Sequence, residues 1–364
     1  MADALQDILA TVSLSDLDLS KGGIASSRNR FREFSSTFEG AHPRTNATIF
    51  GGRNPYLMTT DSAKLRHNAG APETRGMAQI VQYSAPANMA NPAIRMNNMV
   101  RGMRGEDRIP MVNSCTCSTP GCRAACLSGS GQLGFPAQQH ALRVRTAFAA
   151  AHPEHFLTML HANLETFQRK AGEAGVRPVV RFNGTTDIRY DELPTADLLF
   201  KDYGRDKIQF NEYTKRDTRG ALSDSELAGE TARFARTPNL YEIPSMNEFT
   251  TPERVSQWRS AGRNFAVPVD ISERHRVFGG QQEAMPAGLQ FHFGGVGHDV
   301  VSGYRHDMRF LDPQGGHAVV LPVRRLTTGA DQVTSDEDSF VRPISSLTHY
   351  GEELDPKDLI KKSK

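Results

Sequence analysis

Residues 176–187 read VRPVVRFNGTTD, an apolar strand pattern that runs directly into a polar loop. From this stretch onward, strand-like and helix-like segments alternate with short connections, as βαβ units with a parallel sheet do. The predicted elements are a strand at 176–182, a helix at 191–199, a strand at 207–213, a helix at 223–234, a strand at 239–243, a helix at 252–260 and a strand at 264–269. Apolar runs at 289–293 and 318–321 predict two more strands. Together with an earlier strand at 79–83, they bring the total to roughly seven. We therefore expect an α/β fold that closes as a TIM-like (β/α) barrel, complete or incomplete, with an open doubly wound sheet as the alternative.

The segments before this alternation predict a strand at 79–83 and an alanine-rich helix at 137–151. Pro153 then begins a second helix, in which Phe156, Leu160, Leu164 and Phe167 recur at helical spacing as a buried stripe. Residues 1–75 have weak periodicity and predict an extended N-terminal arm with one short helix at its start. The predicted domains are therefore this basic arm (1–75), a barrel domain (76–330) that carries a metal loop at 113–127, and a charged tail (331–364).

The composition predicts a soluble, intracellular, loop-rich globular protein. Apolar residues make up 38% of the 364, with 31 glycines and 20 prolines. No run approaches the roughly 20 apolar residues that a membrane-spanning helix needs, and the N-terminus has no secretory pattern. We therefore expect no membrane partner.

The net charge of +2 hides an uneven distribution of basic residues. Between Arg28 and Arg108 there are twelve arginines and lysines against six acids. Arginine binds phosphate in a bidentate manner, so this third of the chain is a candidate surface for a nucleic-acid backbone. A mixed, solvated surface is the alternative interpretation.

All four cysteines of the chain fall within twelve residues, at Cys115, Cys117, Cys122 and Cys126. The spacing C-x-C-x4-C-x3-C lets a turn at 120–121 bring four sulfurs around zinc or an iron–sulfur cluster. Neither paired zinc-ribbon spacing is present, so the motif indicates a chemistry and not a family. Disulfides and unliganded thiols are the alternatives, and His140 is a possible substitute ligand.

Polar residues concentrate where the predicted strands end, which is where barrel enzymes place their catalytic groups. Asp187 is the first catalytic candidate, since it follows a Gly-Thr-Thr turn after an apolar strand; capping of the next helix is the alternative. Asp307 and Asp312 are candidates for a second carboxylate, or for ion pairs with Arg305 or Arg309. The predicted substrate-binding residues are Arg181, Asn183, Gly184, Thr185, Tyr213, Lys215, Ser245 and Arg309. The glycines of 294–297 resemble a phosphate-binding loop only loosely.

Several of these elements, in this order, resemble a family of largely uncharacterised tailed-phage and prophage proteins. They are Cys126-Leu127, Arg143 with Arg145, RFNGTTD at 181–187, YTK at 213–215, Pro244-Ser245 and DMRFLDP at 307–313. The resemblance covers about residues 77–325. The chain departs from the family pattern at Thr186, and at Tyr304, where an acid is expected. The resemblance implies a protein of the cytoplasm of an infected bacterial host.

A barrel with a cysteine metal loop and strand-end aspartates is also similar to the DNA-acting relatives of queuine tRNA-ribosyltransferase. That similarity implies an enzyme that exchanges guanine in DNA for a 7-deazaguanine base, with DNA and a deazapurine base as partners. Asp187 would be the nucleophile or its partner acid, with Asp307 or Asp312 in the other role, and zinc would be structural. One alternative is an iron–sulfur enzyme of the radical type, although only Cys122 and Cys126 match half of its signature. The other is a non-catalytic, zinc-stapled DNA-binding or virion-associated protein.

Overall fold

The computed structural model describes residues 3–38, 57–59, 72–126, 128, 131–201, 208–270, 288–303, 306–323, 341–343, 346–349 and 352–353. The α-helices are α1 (Leu5–Ala10), α2 (Lys21–Thr37), α3 (Ala87–Met103), α4 (Pro120–Ala124), α5 (Pro136–Ala151), α6 (Pro153–Glu173), α7 (Asp224–Arg236) and α8 (Pro252–Ser260). The strands are β1 (Asp3–Ala4), β2 (Met58–Thr59), β3 (Met77–Gln82), β4 (Val112–Asn113), β5 (Arg177–Arg181), β6 (Gln209–Thr214), β7 (Leu240–Pro244), β8 (Phe265–Asp270), β9 (Leu289–Phe293), β10 (Val296–Ser302), β11 (Ala318–Val323), β12 (Leu347–His349) and β13 (Glu352–Glu353). Tyr304, Arg305 and most of the predicted tail lie outside the described residues.

Two sheets form the centre of the fold. In the first, β3, β5, β6 and β7 run parallel, with β2 antiparallel at the edge. In the second, β8, β11 and β10 run parallel, and β9, β12 and β13 continue it in antiparallel pairing. A parallel bridge between Ser245 and Ala266 joins the two sheets. The parallel strands therefore follow the order β3-β5-β6-β7-β8-β11-β10.

The mixed α/β fold with parallel strands is confirmed, but a complete TIM barrel is not what the described residues form. In a TIM barrel each strand pairs with the next along the chain. In this protein β11 lies between β8 and β10, and no pairing in the described ranges joins β10 to β3. The departure begins at the β9–β10 hairpin. Its turn is made by Gly294 and Gly295, which have φ of 59° and 77°, as a tight hairpin turn requires.

The N-terminal segment differs from the predicted extended arm. Over residues 3–38 it folds into α1 and α2 and packs on the core. Phe31 and Phe34 of α2 meet Phe148 of α5 edge-on, with ring centroids 4.8 and 5.5 Å apart. The apolar residues of α2 do recur at helical spacing, but the surrounding serines, arginines and glycines conceal the pattern. Helix α3 was not predicted either, since Pro92 interrupts its sequence.

The helices α5 and α6 confirm the sequence prediction closely. Phe156, Leu160 and Leu164 are buried in the core, and Phe167 packs on it half-buried. The predicted helix at 191–199 is wrong. That segment is a 3₁₀ turn at Tyr190–Glu192 followed by a π-helical turn at Asp197–Lys201, and Pro194 between them disfavours a continuous helix.

The first sheet has two distinct faces. Phe210 of β6 packs with Phe182 and Phe200 on the side that the helices cover, which we call the helix face. Tyr213 of β6 packs with Ile243, on what we call the inner face. Side chains alternate along a strand, so the register of β6 decides which groups reach each face.

None of the described helices combines the length and apolarity required to cross a bilayer.

Candidate functional site

The cysteine loop, residues 113–126, lies against the C-terminal ends of the parallel strands. The carbonyl oxygen of Ser114 accepts from the backbone N–H of Asp187 at 3.0 Å, and Ser114 Oγ donates to Ala85 O at 2.8 Å. At the other end, Thr119 Oγ1 and the Gly121 N–H donate to the carboxylate of Glu248, at 2.5 and 2.8 Å. The loop is therefore fastened both to the segments that follow β3 and β5 and to the segment that follows β7.

The thiols of this loop lie near Asp187. Cys115 Sγ is 3.6 Å from Thr185 O, and Cys126 Sγ is 3.1 Å from Ser128 Oγ. Burial raises the pKa of Cys115, the negative charges of Asp187 and Cys126 raise it further, and Lys215 opposes them. Burial likewise raises the pKa of Cys122. The hydrogen bond from Asp187 to Ser114 and the contact of Cys115 with Thr185 place the cysteine loop and Asp187 side by side.

The metal site stays a prediction. Within the described ranges, no group of three or more His, Cys, Asp or Glu side chains is arranged to hold a metal ion. All four cysteines are half-buried free thiols. Binding of a metal by all four would therefore require the sulfur atoms to move closer to one another. His140 is buried in α5, and its ring centroid is 6.2 Å from that of Phe38, so it packs in the interior beside α2.

Asp187 is held rigidly at the ends of β5 and β6. Its Oδ1 accepts from Thr214 Oγ1 at 2.9 Å, and its Oδ2 accepts from the Lys215 N–H at 3.0 Å. The guanidinium of Arg216 donates to the Asp187 carbonyl oxygen. Burial raises the pKa of the carboxyl group, while Lys215, Arg216 and the two hydrogen bonds lower it. Its carboxylate caps no helix, because the next helical turn begins after Arg189 without a side-chain cap.

The residues between β5 and Asp187 shape the loop from within. Asn183 Oδ1 accepts from the Ile188 N–H at 3.0 Å and from Thr186 Oγ1 at 2.9 Å, while Nδ2 donates to Ile188 O at 2.7 Å. A Cβ on Gly184 would lie 2.3 Å from the ring of Tyr83, so only glycine fits there. Thr185 Oγ1 donates to Ser84 O. Asn183, Gly184 and Thr185 therefore position Asp187 and have their polar groups engaged within the protein.

Glu212 is a functional candidate that the sequence reasoning missed. It lies on β6 two residues before Thr214 and so shares a face with it. Asn183 Nδ2 donates to Glu212 Oε2, and Oε1 has no hydrogen-bond partner in the described structure. Burial raises the pKa of Glu212 well above its ordinary value. An acid in the middle of a fully buried strand was the signal that could have identified it.

A second network occupies the inner face. Arg181 Nη1 donates to Asp307 Oδ2 at 2.7 Å, and Tyr213 Oη lies 3.4 Å from Asp307 Oδ1. The guanidinium of Arg181 also stacks on the ring of Tyr213, 4.8 Å from its centroid. Asn211 fixes the backbone of the same segment: Nδ2 donates to Asp307 O at 2.9 Å and Oδ1 accepts from the Arg309 N–H at 3.0 Å. Asp307 is thus one half of a buried ion pair.

Asp312 belongs to the same network. Its carboxylate lies 3.2 Å from Arg309 Nη1 and 3.8 Å from His306 Nε2. Arg309 is fully buried and also contacts His306 Nδ1, at 3.1 Å. Burial raises the pKa of Asp312 to about 6, with Arg309 opposing and Asp307 adding to the shift. Asp312 therefore lies in the predicted ion pair with Arg309, whereas Asp307 pairs with Arg181, which was not among its predicted partners.

A protein-family model described as gene product 88 matches residues 57–336. The chain belongs to the gene product 88 family. This is a phage-type family, so the resemblance read from the sequence is confirmed at that level. No curated protein and no solved structure matches the chain. These comparisons show no link to transglycosylases.

The gene product 88 chain separates its predicted site residues into two groups. Tyr213 and Thr214 are consecutive in β6, so their side chains point to opposite faces. Asp187 meets β6 through Thr214, whereas Asp307 meets it through Tyr213. The first group therefore contains Asp187, Lys215 and the cysteine loop, and the second contains Arg181, Asp307, Arg309 and Asp312.

Ser245 belongs to neither group of this gene product 88 protein. Its backbone N–H donates to Thr214 O at 2.7 Å, and its bridge to Ala266 forms the seam between the two sheets. The side chain is buried. A structural role at the seam accounts for its position.

Proposed function

We propose that this gene product 88 protein is a DNA-modifying transglycosylase that exchanges guanine for a 7-deazaguanine base, with Asp187 as the nucleophile. The observation that carries the proposal is the setting of the Asp187 carboxylate. It is fixed by Thr214 and the Lys215 N–H at the strand ends, directly against the cysteine loop. A positioned carboxylate of this kind suits covalent catalysis at a sugar carbon.

The proposed reaction needs one nucleophile and one proton carrier. Asp187 attacks the anomeric carbon of a deoxyguanosine, the bond from that carbon to the base nitrogen breaks, and the departing nitrogen takes a proton. The incoming deazapurine then gives a proton to the same carrier and displaces Asp187 from the sugar. Burial raises the pKa of the Asp187 carboxyl group, and the two cations and two hydrogen bonds beside it oppose that shift and stabilise the ionised form that attacks the sugar.

Glu212 is the acid that the geometry favours as the proton carrier. It shares the helix face with Thr214, and burial holds its carboxyl group protonated to a higher pH than usual. Asp307 and Asp312 stay predictions for this role, and both are engaged with arginines on the opposite face. The four cysteines would hold a zinc ion that shapes the loop, without taking part in either step.

The test is base incorporation into DNA by the protein and by its Asp187→Asn variant. The assay supplies candidate deazapurine bases, and the DNA is digested to nucleosides for mass spectrometry. We expect the variant to lose incorporation while keeping DNA binding and the thermal midpoint. Asp224→Asn, at an exposed acid of α7, is the matched control. Undiminished incorporation in the Asp187 variant would exclude it as the nucleophile, and wild-type protein that binds DNA but leaves the nucleosides unaltered would favour a non-catalytic role.

An iron–sulfur enzyme is the second candidate, because the cysteine loop lies on the reaction centre and not at a distance from it. Cys115 contacts Thr185 O and couples electrostatically to Asp187. Elemental analysis and an absorption spectrum of protein purified without oxygen separate the two candidates. About one zinc per chain without visible absorbance supports the transglycosylase. Iron with sulfide and a visible chromophore supports the redox enzyme.

A further inference from the structure

Phe249 is a large apolar side chain that stands 48% exposed in the segment after β7. We propose that Phe249, backed by Arg219, is a stacking platform for an unpaired base, so that single-stranded DNA is the form of substrate that this site takes. The proposal rests on the proposed function, because it names the substrate class of the same site. Exposed aromatic rings beside cationic side chains are the common element of single-strand binding sites.

The backbone that carries the Phe249 ring is fixed, although the ring itself is exposed. The Phe249 N–H donates to Asn247 Oδ1 at 2.8 Å, and Asn247 is fully buried. Asn247 Nδ2 in turn donates to Thr218 Oγ1 at 2.7 Å, and Thr250 Oγ1 donates to Thr218 O at 2.6 Å. These bonds join the segment after β6 to the segment after β7. Because the backbone is already fixed, less freedom is lost when a base stacks on the ring that it carries.

Arg219 supports the ring from one side. Its guanidinium carbon lies 5.2 Å from the centroid of the Phe249 ring, and its carbonyl oxygen accepts from the Thr251 N–H at 3.3 Å. No salt bridge to an acid is found for Arg219 among the described residues. Its positive charge is therefore available to a phosphate while its plane supports the aromatic ring.

The platform lies beside the reaction centre. Glu248, the residue before Phe249, fastens the cysteine loop through Thr119 and Gly121. Lys215 and Arg216, which surround Asp187, lie in the same segment as Arg219. The acid between them, Asp217, is paired with Arg189. A base stacked on Phe249 would thus place its neighbouring phosphates near the guanidinium of Arg219, which suits a polyanion better than an apolar protein surface.

The test is a comparison of single-stranded and duplex DNA of the same sequence, by fluorescence anisotropy with labelled oligonucleotides. We expect Phe249→Leu to weaken single-strand binding about tenfold, because it keeps apolar area but removes the π face, and to change duplex binding far less. Phe249→Trp should bind at least as well as the wild type. Phe135→Leu is the matched control, since Phe135 is 60% exposed and carries no arginine on its ring within the described structure. Arg219→Gln should lower the slope of log affinity against log salt concentration by about the amount that one phosphate contact contributes.

The outcomes distinguish the platform from the proposed reaction. Unchanged single-strand affinity in Phe249→Leu, or an equal loss in Phe135→Leu, would overturn the platform even if base exchange is observed. Loss confined to the Phe249 variant would establish the platform even if the wild type exchanges no base. Thermal denaturation of each variant checks that its fold is retained.

Discussion

Arg145 in α5 is buried without an acidic partner. It is 5% exposed, and no carboxylate among the described residues pairs with it. Burial lowers its pKa to about 10, and the neighbouring Tyr83 opposes that shift. Burying an unpaired cation costs free energy that an apolar side chain of similar length would not.

We therefore expect Arg145→Met to raise the free energy of unfolding, by about 1 kcal/mol or more. Urea denaturation of the two proteins measures the difference. Arg143→Met is the control, because Arg143 is half-buried in the same helix and its loss should change stability little. A less stable Arg145 variant would contradict this expectation and would mean that the guanidinium has a favourable partner in the folded protein.

Asp312 should make stability depend on pH in a defined direction. Its folded-state pKa of about 6 lies above the value of 3.8 for an unperturbed group, so the folded state binds the proton more tightly. The contribution of Asp312 to the free energy of unfolding is complete below about pH 4 and is lost as the pH rises through about 6. This contribution is at most about 3 kcal/mol.

The Asp312→Asn variant stays neutral, so its stability should rise relative to the wild type between pH 4 and 7. Unfolding free energies at four or five pH values in that range measure the difference. A variant that becomes relatively less stable with rising pH would show that the ion pair with Arg309 outweighs burial.

The junction of β5 with the loop before Asp187 depends on close packing between elements. The Gly184 N–H donates to Gln82 O at 2.9 Å, and the position has no room for a Cβ beside Tyr83. The loop must therefore lie flat on the end of β3. Because Asn183 holds the other side of the same loop, its shape is set from two directions.

We expect Gly184→Ala to lower the free energy of unfolding by about 2 kcal/mol, since an added methyl group must displace the ring of Tyr83 or the backbone of β3. The displacement should also disturb Asp187 and reduce any base exchange. Gly220→Ala is the matched control, because nothing lies within 4 Å of a Cβ built there. Equal stability of the two variants would contradict the packing argument.

At the scale of elements, local patterns predicted most of the fold. Helices α5 to α8 and strands β3, β5, β6, β7 and β8 follow from periodicity and from Pro and Gly positions, because these signals lie within each segment. Helix α2 was missed because its polar residues obscure Phe31 and Phe34, whose burial depends on Phe148, more than a hundred residues away. Tertiary packing stabilised a helix that local preference predicted weakly.

At the scale of the whole molecule, the cysteine loop connects the segment that follows β5, through Ser114, to the segment that follows β7, through Glu248. A metal bound by the four cysteines would stabilise that connection, because its binding energy adds to the folded state. Removal of zinc by a chelator should lower the thermal midpoint and expose the loop to trypsin at Arg123, which is exposed on α4.

Limited proteolysis and a thermal scan, before and after chelation, measure this effect. Resupplied zinc should restore both readings. A protein that contains no zinc, and whose thermal midpoint and trypsin cleavage pattern do not change with the chelator, would contradict a structural metal.

The sequence by itself determined the alternation of strands and helices, the clustering of the cysteines and the polar strand ends that include Asp187. Each of these is written in neighbouring residues, and local backbone geometry converts it directly into structure. Only the tertiary structure decided that β11 lies between β8 and β10, that Asp187 and Asp307 meet opposite faces of β6, and that Glu212 is buried beside Asn183 while the Phe249 ring stands exposed beside Arg219. Those relations depend on pairing and burial between residues far apart in the chain, which no local pattern specifies.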